Sequence, residues 1–365
     1  MSATTGLRTS VPARTGVASR ARRGGTWRAG RALSVRVEGR TLGVCAGLAL
    51  ALLLVVTLSL TTGDYPLSVG DVARTLVGHG TRAQEFIVLG LRLPRVVTGL
   101  LVGAALGIAG AVFQLVTRNP LGSPDIIGFT TGAVTGALVV LLVLGGSTST
   151  AALGAVVGGF VNAVLVYGLS SRGGVSGYRL ILVGIGMTAV LGAVNGFLVS
   201  RADLPAAQSA QVWITGSLNG RGWDQALPVG VGLAVLLPVL LADGRSLTLL
   251  DLGDDAARAL GVGVDRVRLT VLAAAVALTA LAALAAGPVA FVALAAPQVA
   301  RRLTGAVGSG LVAAGLTGAL LLVVSDIAAQ RLFAPTQLPV GVLTGAVGGL
   351  YLTYLLAAQW RRGRG

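Results

Sequence analysis

Lysine is missing from this chain: all 28 basic residues are arginine. A P-loop sets a lysine ammonium on nucleotide phosphates, so the chain has no ATPase site of that type. The single cysteine, Cys45, stands in an apolar run and can form no intrachain disulfide. The single histidine, His79, lies in a short polar stretch without the partners that a metal site needs. Only 11% of the 365 residues are charged and only 4% are aromatic. Charge that scarce excludes the surface composition of an ordinary soluble domain.

What is abundant is apolar length. The chain is 54% hydrophobic with a mean hydropathy of +0.84. Runs of about 20 apolar residues recur, each long enough to cross about 30 Å of hydrocarbon as a helix. They lack polar/apolar alternation and are dominated by Ala and Leu, which argues against barrel strands. The expectation is an all-α polytopic membrane protein with ten spans, near 41–62, 93–116, 126–145, 151–170, 179–200, 225–242, 268–286, 288–303, 309–326 and 340–360. Pro288 and Pro297 break the region 268–326, where one segment is expected to be short or tilted.

Residues 1–40 hold nine arginines against one acid, Glu38, in a Gly-, Ser- and Thr-rich context. This composition reads as a disordered cytoplasmic tail that touches anionic headgroups, followed by a transmembrane domain over 41–365. No aromatics interleave with those arginines in the manner of a nucleic-acid platform, so no nucleic-acid partner is expected. With the N-terminus inside, the inner loops gather Arg118, Arg172, Arg245, Arg258, Arg266, Arg301 and Arg302. An even span count returns the C-terminus, with Arg361, Arg362 and Arg364, to the same side.

Glycines recur at four-residue spacing: Gly99, Gly103 and Gly107, then Gly132 with Gly136, Gly154 with Gly158, and Gly341 with Gly345. Such spacing lets helix backbones approach in lipid and is a packing signal. Between two apolar runs stands Arg118-Asn119-Pro120-Leu121-Gly122-Ser123-Pro124-Asp125. Residues before proline avoid the helical region, so Asn119 and Ser123 stop one helix and delay the next.

Three features point to function. Arg92 and Arg95 flank Pro94 at the outer start of the second span, where cations oppose both the helix dipole and the charge bias. They read either as snorkelling anchors or as forks for the carboxylates of an acidic outer partner. The stretch Leu252-Gly253-Asp254-Asp255-Ala256-Ala257-Arg258-Ala259-Leu260-Gly261 reads as a short helix, capped near Asp254 and stopped by Gly261. Its acidic balance suits a protein groove on the cytoplasmic side better than a membrane surface. Finally, acids come near span ends only at Asp125 and Asp326, and none sits at mid-span. Ion-coupled pumps place ionisable groups there, so the energy of transport is expected from another subunit.

These stretches identify a resemblance. RLPR at 92–95, GAALGIAGAVFQLVTRNPLGSPDIIGF at 103–129, LGDDAARALGV at 252–262, GPVAFVALAAPQVAR at 287–301 and LPVGVLTGAVGG at 338–349 resemble the FecCD/BtuC-like permeases. Those are the membrane subunits of importers for iron-siderophores and vitamin B12, of the ATP-binding cassette (ABC) type. The likeness runs from about residue 60 to the C-terminus. It implies ten helices per subunit, a second permease copy or paralogue, and an extracytoplasmic substrate-binding protein. It also implies separate cytoplasmic ATPase subunits that carry the ATP and magnesium, with no cofactor on this chain.

By resemblance, Arg92 and Arg95 dock the binding protein. A third docking arginine would stand four residues after Asp326; Gln330 is there, with Arg331 beside it. Leu252, Gly253, Asp254, Asp255, Ala257, Arg258, Leu260 and Gly261 match the ATPase-coupling helix. Ser176, Gly177 and Tyr178 fall where relatives form an inner gate. Arg118, Asn119, Pro120, Pro124, Pro297 and Pro339 match structural motif positions. Gln298 replaces a usual histidine, Ala293 a usual glycine, and Gly348-Gly349 a proline-containing turn. The implied function is a permease importing a ferric siderophore across a bacterial cytoplasmic membrane. Cobalamin or haem is the alternative cargo, and an ion-coupled secondary transporter is the rival mechanism.

Overall fold

The structure is a computed structural model that describes residues 24–29, 33–125, 127–170, 177–305, 308–334 and 336–362. The chain divides into two units, residues 1–39 and 40–365. In the first, β1 (Gly24–Ala29) pairs antiparallel with β2 (Leu33–Glu38), Gly24 opposite Glu38 and Ala29 opposite Leu33. The hairpin departs from the disordered tail that composition suggested. Its second strand, Leu33-Ser34-Val35-Arg36-Val37-Glu38, alternates apolar and polar residues, a strand pattern that a composition count averages away.

Among the described residues of the second unit every regular element is a helix. It begins with α1 (Gly39–Thr61), α2 (Val69–Leu76) and α3 (Arg82–Thr117), then α4 (Phe129–Val143), α5 (Thr148–Ser170) and α6 (Gly177–Arg201). There follow α7 (Leu204–Ile214), α8 (Trp223–Ala242), α9 (Gly244–Asp251), α10 (Asp254–Ala259) and α11 (Val264–Ala286). The last are α12 (Val292–Thr304), α13 (Leu311–Arg331) and α14 (Val340–Arg362). Each of the ten expected apolar segments is a helix, yet among the described residues only seven are long and apolar enough to cross a membrane: α1, α3, α5, α6, α8, α11 and α13. The exceptions are α4, α12 and α14. The 13 residues of α12 reach about 20 Å at about 1.5 Å per residue, short of a full crossing. Gly287, at φ +73°, and Pro288 end α11 and force this break. The short helices α2, α7 and α9 were not anticipated.

α3 is the central pillar. Within its apolar stretch 78% of residues are buried inside the subunit, against 6% for α1. It packs on α13, α11, α12 and α8. Glycine makes this possible: a Cβ on Gly103 would lie 2.4 Å from the Gly318 carbonyl oxygen, and one on Gly107 would lie 2.3 Å from that of Ala314. One on Gly110 would collide with the backbone of Ala293. The same device joins α4 to α5, where a Cβ on Gly132 would stand 2.9 Å from the Gly158 oxygen. The expected packing role thus holds at these sites. Gly341 meets the Thr215 backbone, whereas Gly345 faces open space.

Pro94 lies inside α3. The sequence suggested that the span starts there; instead the helix starts at Arg82 and passes through it. Phe86–Arg92 widens into π geometry, with the Leu93 N–H donating to the Val88 carbonyl. A wider turn is one way a helix absorbs a residue that offers no N–H. Arg92 and Arg95 therefore stand within a continuous helix, and the opposition to a helix N-terminus does not arise.

Candidate functional site

Most of the residues expected to be functional collect at the two ends of α3. At its C-terminal end Arg118 adopts a left-handed conformation, φ 50°, and caps the helix. Asn119 follows, its Oδ1 accepting the Leu121 N–H at 2.9 Å, which fixes the turn around Pro120. Gln298 donates its side-chain amide to the Pro120 carbonyl, so the residue found in place of histidine braces the hinge against α12. Pro124 is buried, and the Asp125 carboxylate accepts from the Thr130 hydroxyl and from the backbone of Phe291. The polar hinge is thereby tied to its neighbours rather than hanging in solvent.

Beside it lies α10. Gly253, at φ +117°, occupies its N-cap, and Gly261, at φ +82°, stands in the left-handed region just past its end. Asp254 does not cap the helix as expected. Its Oδ1 accepts from Arg118 Nη2 at 2.8 Å and from Arg268 Nη2 at 2.9 Å, and its Oδ2 accepts from the same Arg268 nitrogen at 3.0 Å. The Arg268 side chain is 3% exposed and that of Arg118 40%. Ala257 is buried among Leu250 and Val264. Leu252, Asp255, Ala256, Arg258, Ala259, Leu260 and Gly261 are exposed. The helix thus turns one small residue inward and presents an apolar and acidic face outward. Arg268 was missed by sequence reasoning; the signal was an arginine at the edge of an apolar run, where it needs a partner.

At the other end of α3, Arg92 donates to the carbonyls of Leu60 and Tyr65, at 2.7 and 2.5 Å. Its guanidinium fills the space where Gly63 has no side chain. Arg95 forms a two-bond fork with Asp326, Nη2 to Oδ1 at 2.9 Å and Nε to Oδ2 at 3.0 Å. Nη1 reaches Asn219 and Gln337 at 3.4 and 3.3 Å. The two side chains of the pair are only 14% and 4% exposed. Gln330 donates to Asp326 at 2.8 Å, so the residue standing in for an expected arginine completes this cluster. Arg331 is 39% exposed and lies 3.9 Å from a fully exposed Asp64. The three arginines read as one docking set therefore differ: two have internal acceptors, and Arg331 has the freest fork.

Of the residues expected at an inner gate, Ser176 lies outside the described residues, Gly177 opens α6, and Tyr178 is 77% exposed at its start. Pro297 is buried within α12, and Pro339 immediately precedes α14. A mostly apolar hollow between α4, α6, α7 and the start of α14, walled by Val134, Ile214, Pro288, Ala290 and Val342, also carries the polar Thr130, Thr131, Asn195 and Thr215. The Asn195 Oδ1 is buried there without a hydrogen-bond partner. Among the described residues no cluster of His, Cys, Asp or Glu could hold a metal.

Comparison with known proteins gives the family. The FecCD transport family matches residues 51–358. The chain is 44% identical over 328 residues to the ferric enterobactin transport system permease protein FepG of Escherichia coli (strain K12), covering 90% of this chain and 99% of FepG. It is 38% identical to the achromobactin transport system permease protein CbrC of Dickeya dadantii (strain 3937), covering 91% of this chain and 96% of CbrC. Among solved structures, an inward-facing conformation of a metal-chelate type ABC transporter superposes with a TM-score of 0.76 at 29% identity, over 87% of this chain and 99% of that one. A match along nearly the whole membrane unit, in sequence and in fold, means that the chain belongs to the FecCD transport family.

Proposed function

We propose that this chain is the permease subunit of an ABC importer that carries a ferric siderophore chelate across the cytoplasmic membrane. The 44% identity to FepG, over 90% of this chain and 99% of FepG, carries this reading. The chain supplies the path and the coupling surface, and ATP hydrolysis resides on a partner subunit. That partner binds ATP and magnesium, and this chain binds no cofactor. The exposed face of α10, with Asp255, Arg258 and Leu260, is the surface offered to the ATPase. Its termini lie in the cytoplasm, which puts Arg118, Arg258 and Arg301 on the side that the charge bias favours.

Delivery comes from an extracytoplasmic binding protein that docks at the end of α3 near Arg331, whose exposed guanidinium fits a carboxylate. A second permease copy or paralogue completes the pathway. Hydroxyl and amide groups around the Thr131 and Asn195 hollow suit a chelate that must leave as readily as it enters. The test is reconstitution of the permease with its ATPase and binding protein in proteoliposomes. Ferric enterobactin, cobalamin and haem are offered in turn. ATP-dependent uptake of the ferric chelate is expected. Uptake of cobalamin or haem alone reassigns the cargo, and uptake that persists without ATPase but collapses with an ionophore establishes the secondary transporter instead.

A further inference from the structure

α10 has six residues and one buried side chain, Ala257, so neither its length nor its packing holds it in place. What does hold it is its first residue. The Asp254 carboxylate is shared by two guanidinium groups from two different helices. Arg118 ends the helix whose apolar stretch is the most buried of the seven long spans, and Arg268 sits in the second turn of α11 with almost no exposure. The other charges of α10 cannot serve. Asp255 is fully exposed and Arg258 is half exposed; they lie 3.5 Å apart, and Arg258 is 4.0 Å from an exposed Asp265. Charge-assisted bonds between partly buried groups are short and directional, whereas exposed pairs slide and are screened.

We propose that Asp254, Arg118 and Arg268 form a transmission joint, through which displacement of α10 is delivered to α3 and α11 together. Asp254 is thus a positioning residue facing into the subunit rather than a contact for the partner. Gly253 sets the backbone of the joint, since its φ of +117° is one that a residue with a side chain rarely adopts. Beyond the joint α3 is rigid: its glycines lock it to α13, so a pull on Arg118 moves packed helices as one body. The inference rests on reading the outer face of α10 as the ATPase contact.

The experiment uses the complete complex in proteoliposomes, with ferric enterobactin as the probe. Co-purification of the ATPase reports assembly, and chelate molecules imported per ATP hydrolysed report coupling. Asp254→Asn keeps shape and removes charge. The expected result is wild-type co-purification with a ratio lowered on the order of tenfold, and partial recovery in Asp254→Glu. A merely structural role would lower yield and leave the ratio of the assembled complex unchanged. An unchanged ratio in Asp254→Asn overturns the joint. If that variant fails to assemble, Arg118→Gln, altered at the more exposed partner, decides: a lowered ratio supports the joint and a wild-type ratio overturns it. Absence of ATP-driven uptake in the wild-type complex sinks the functional reading instead, so the two failures are distinct.

Discussion

The two ends of α3 use the same chemistry to opposite purpose. At one end Arg95 and Asp326 join two long helices inside a nearly dry pocket, backed by Gln330, Asn219 and Gln337. At the other, Arg118 and Arg268 share Asp254, which belongs to a short helix on the surface. The first is a seal between elements already packed by glycine. The second is a strut to an element that has little other support. Ion pairs of similar length thus carry different consequences, because burial and the stability of the joined elements decide what is lost when the pair breaks.

The largest expected effect comes from breaking the seal. Asp326→Asn leaves Arg95 buried beside a neutral amide, and a loss of about 3–5 kcal/mol is expected, read as a lower thermal midpoint of the detergent-purified subunit. A loss near zero would mean that this end is as hydrated as the other. Next comes the packing beneath it. Gly103→Leu drives a side chain into the Gly318 backbone and is expected to cost about 1–3 kcal/mol or to prevent folding, whereas Gly345→Leu, facing open space, leaves the midpoint of the isolated subunit unchanged. Equal effects would remove glycine contact as the reason for the spacing.

Arg118→Gln sharpens the contrast. Its partner retains Arg268, and the side chain is 40% exposed, so a stability change of about 1 kcal/mol or less is expected alongside the coupling defect. A change as large as that of Asp326→Asn would make the two ends equivalent. The smallest stability effect belongs to Arg331→Glu, within about 0.5 kcal/mol as for an exposed position. Its signature is slower, salt-sensitive association with the binding protein, measured by surface capture at two ionic strengths. Unchanged association would move the docking surface away from Arg331.

Much of this was legible beforehand because hydrophobic length and breaker residues act locally. The ten apolar segments, the stop at Asn119, the short helix after Gly253 and the left-handed Gly261 each depend on a few neighbouring residues. What failed to show was anything that needs a second element. The strand alternation in 33–38 was hidden by averaging the tail. Pro94 looked like a helix start because its missing N–H says nothing of the π turn that precedes it. Arg95 looked available because its acceptor lies 231 residues away at Asp326. Asp254 looked like a cap because Arg118 and Arg268 are distant or hidden in an apolar run.

By itself the order of residues determined a helical membrane protein with a polar hinge and an acidic elbow, for which composition and local backbone preference suffice, and its long motifs carried the likeness to one transport family. Only the folded chain decided which arginines are occupied and which can meet a partner. A guanidinium's role depends on the nearest carboxylate and on how much water remains between them, and both are set by how helices far apart in sequence come together.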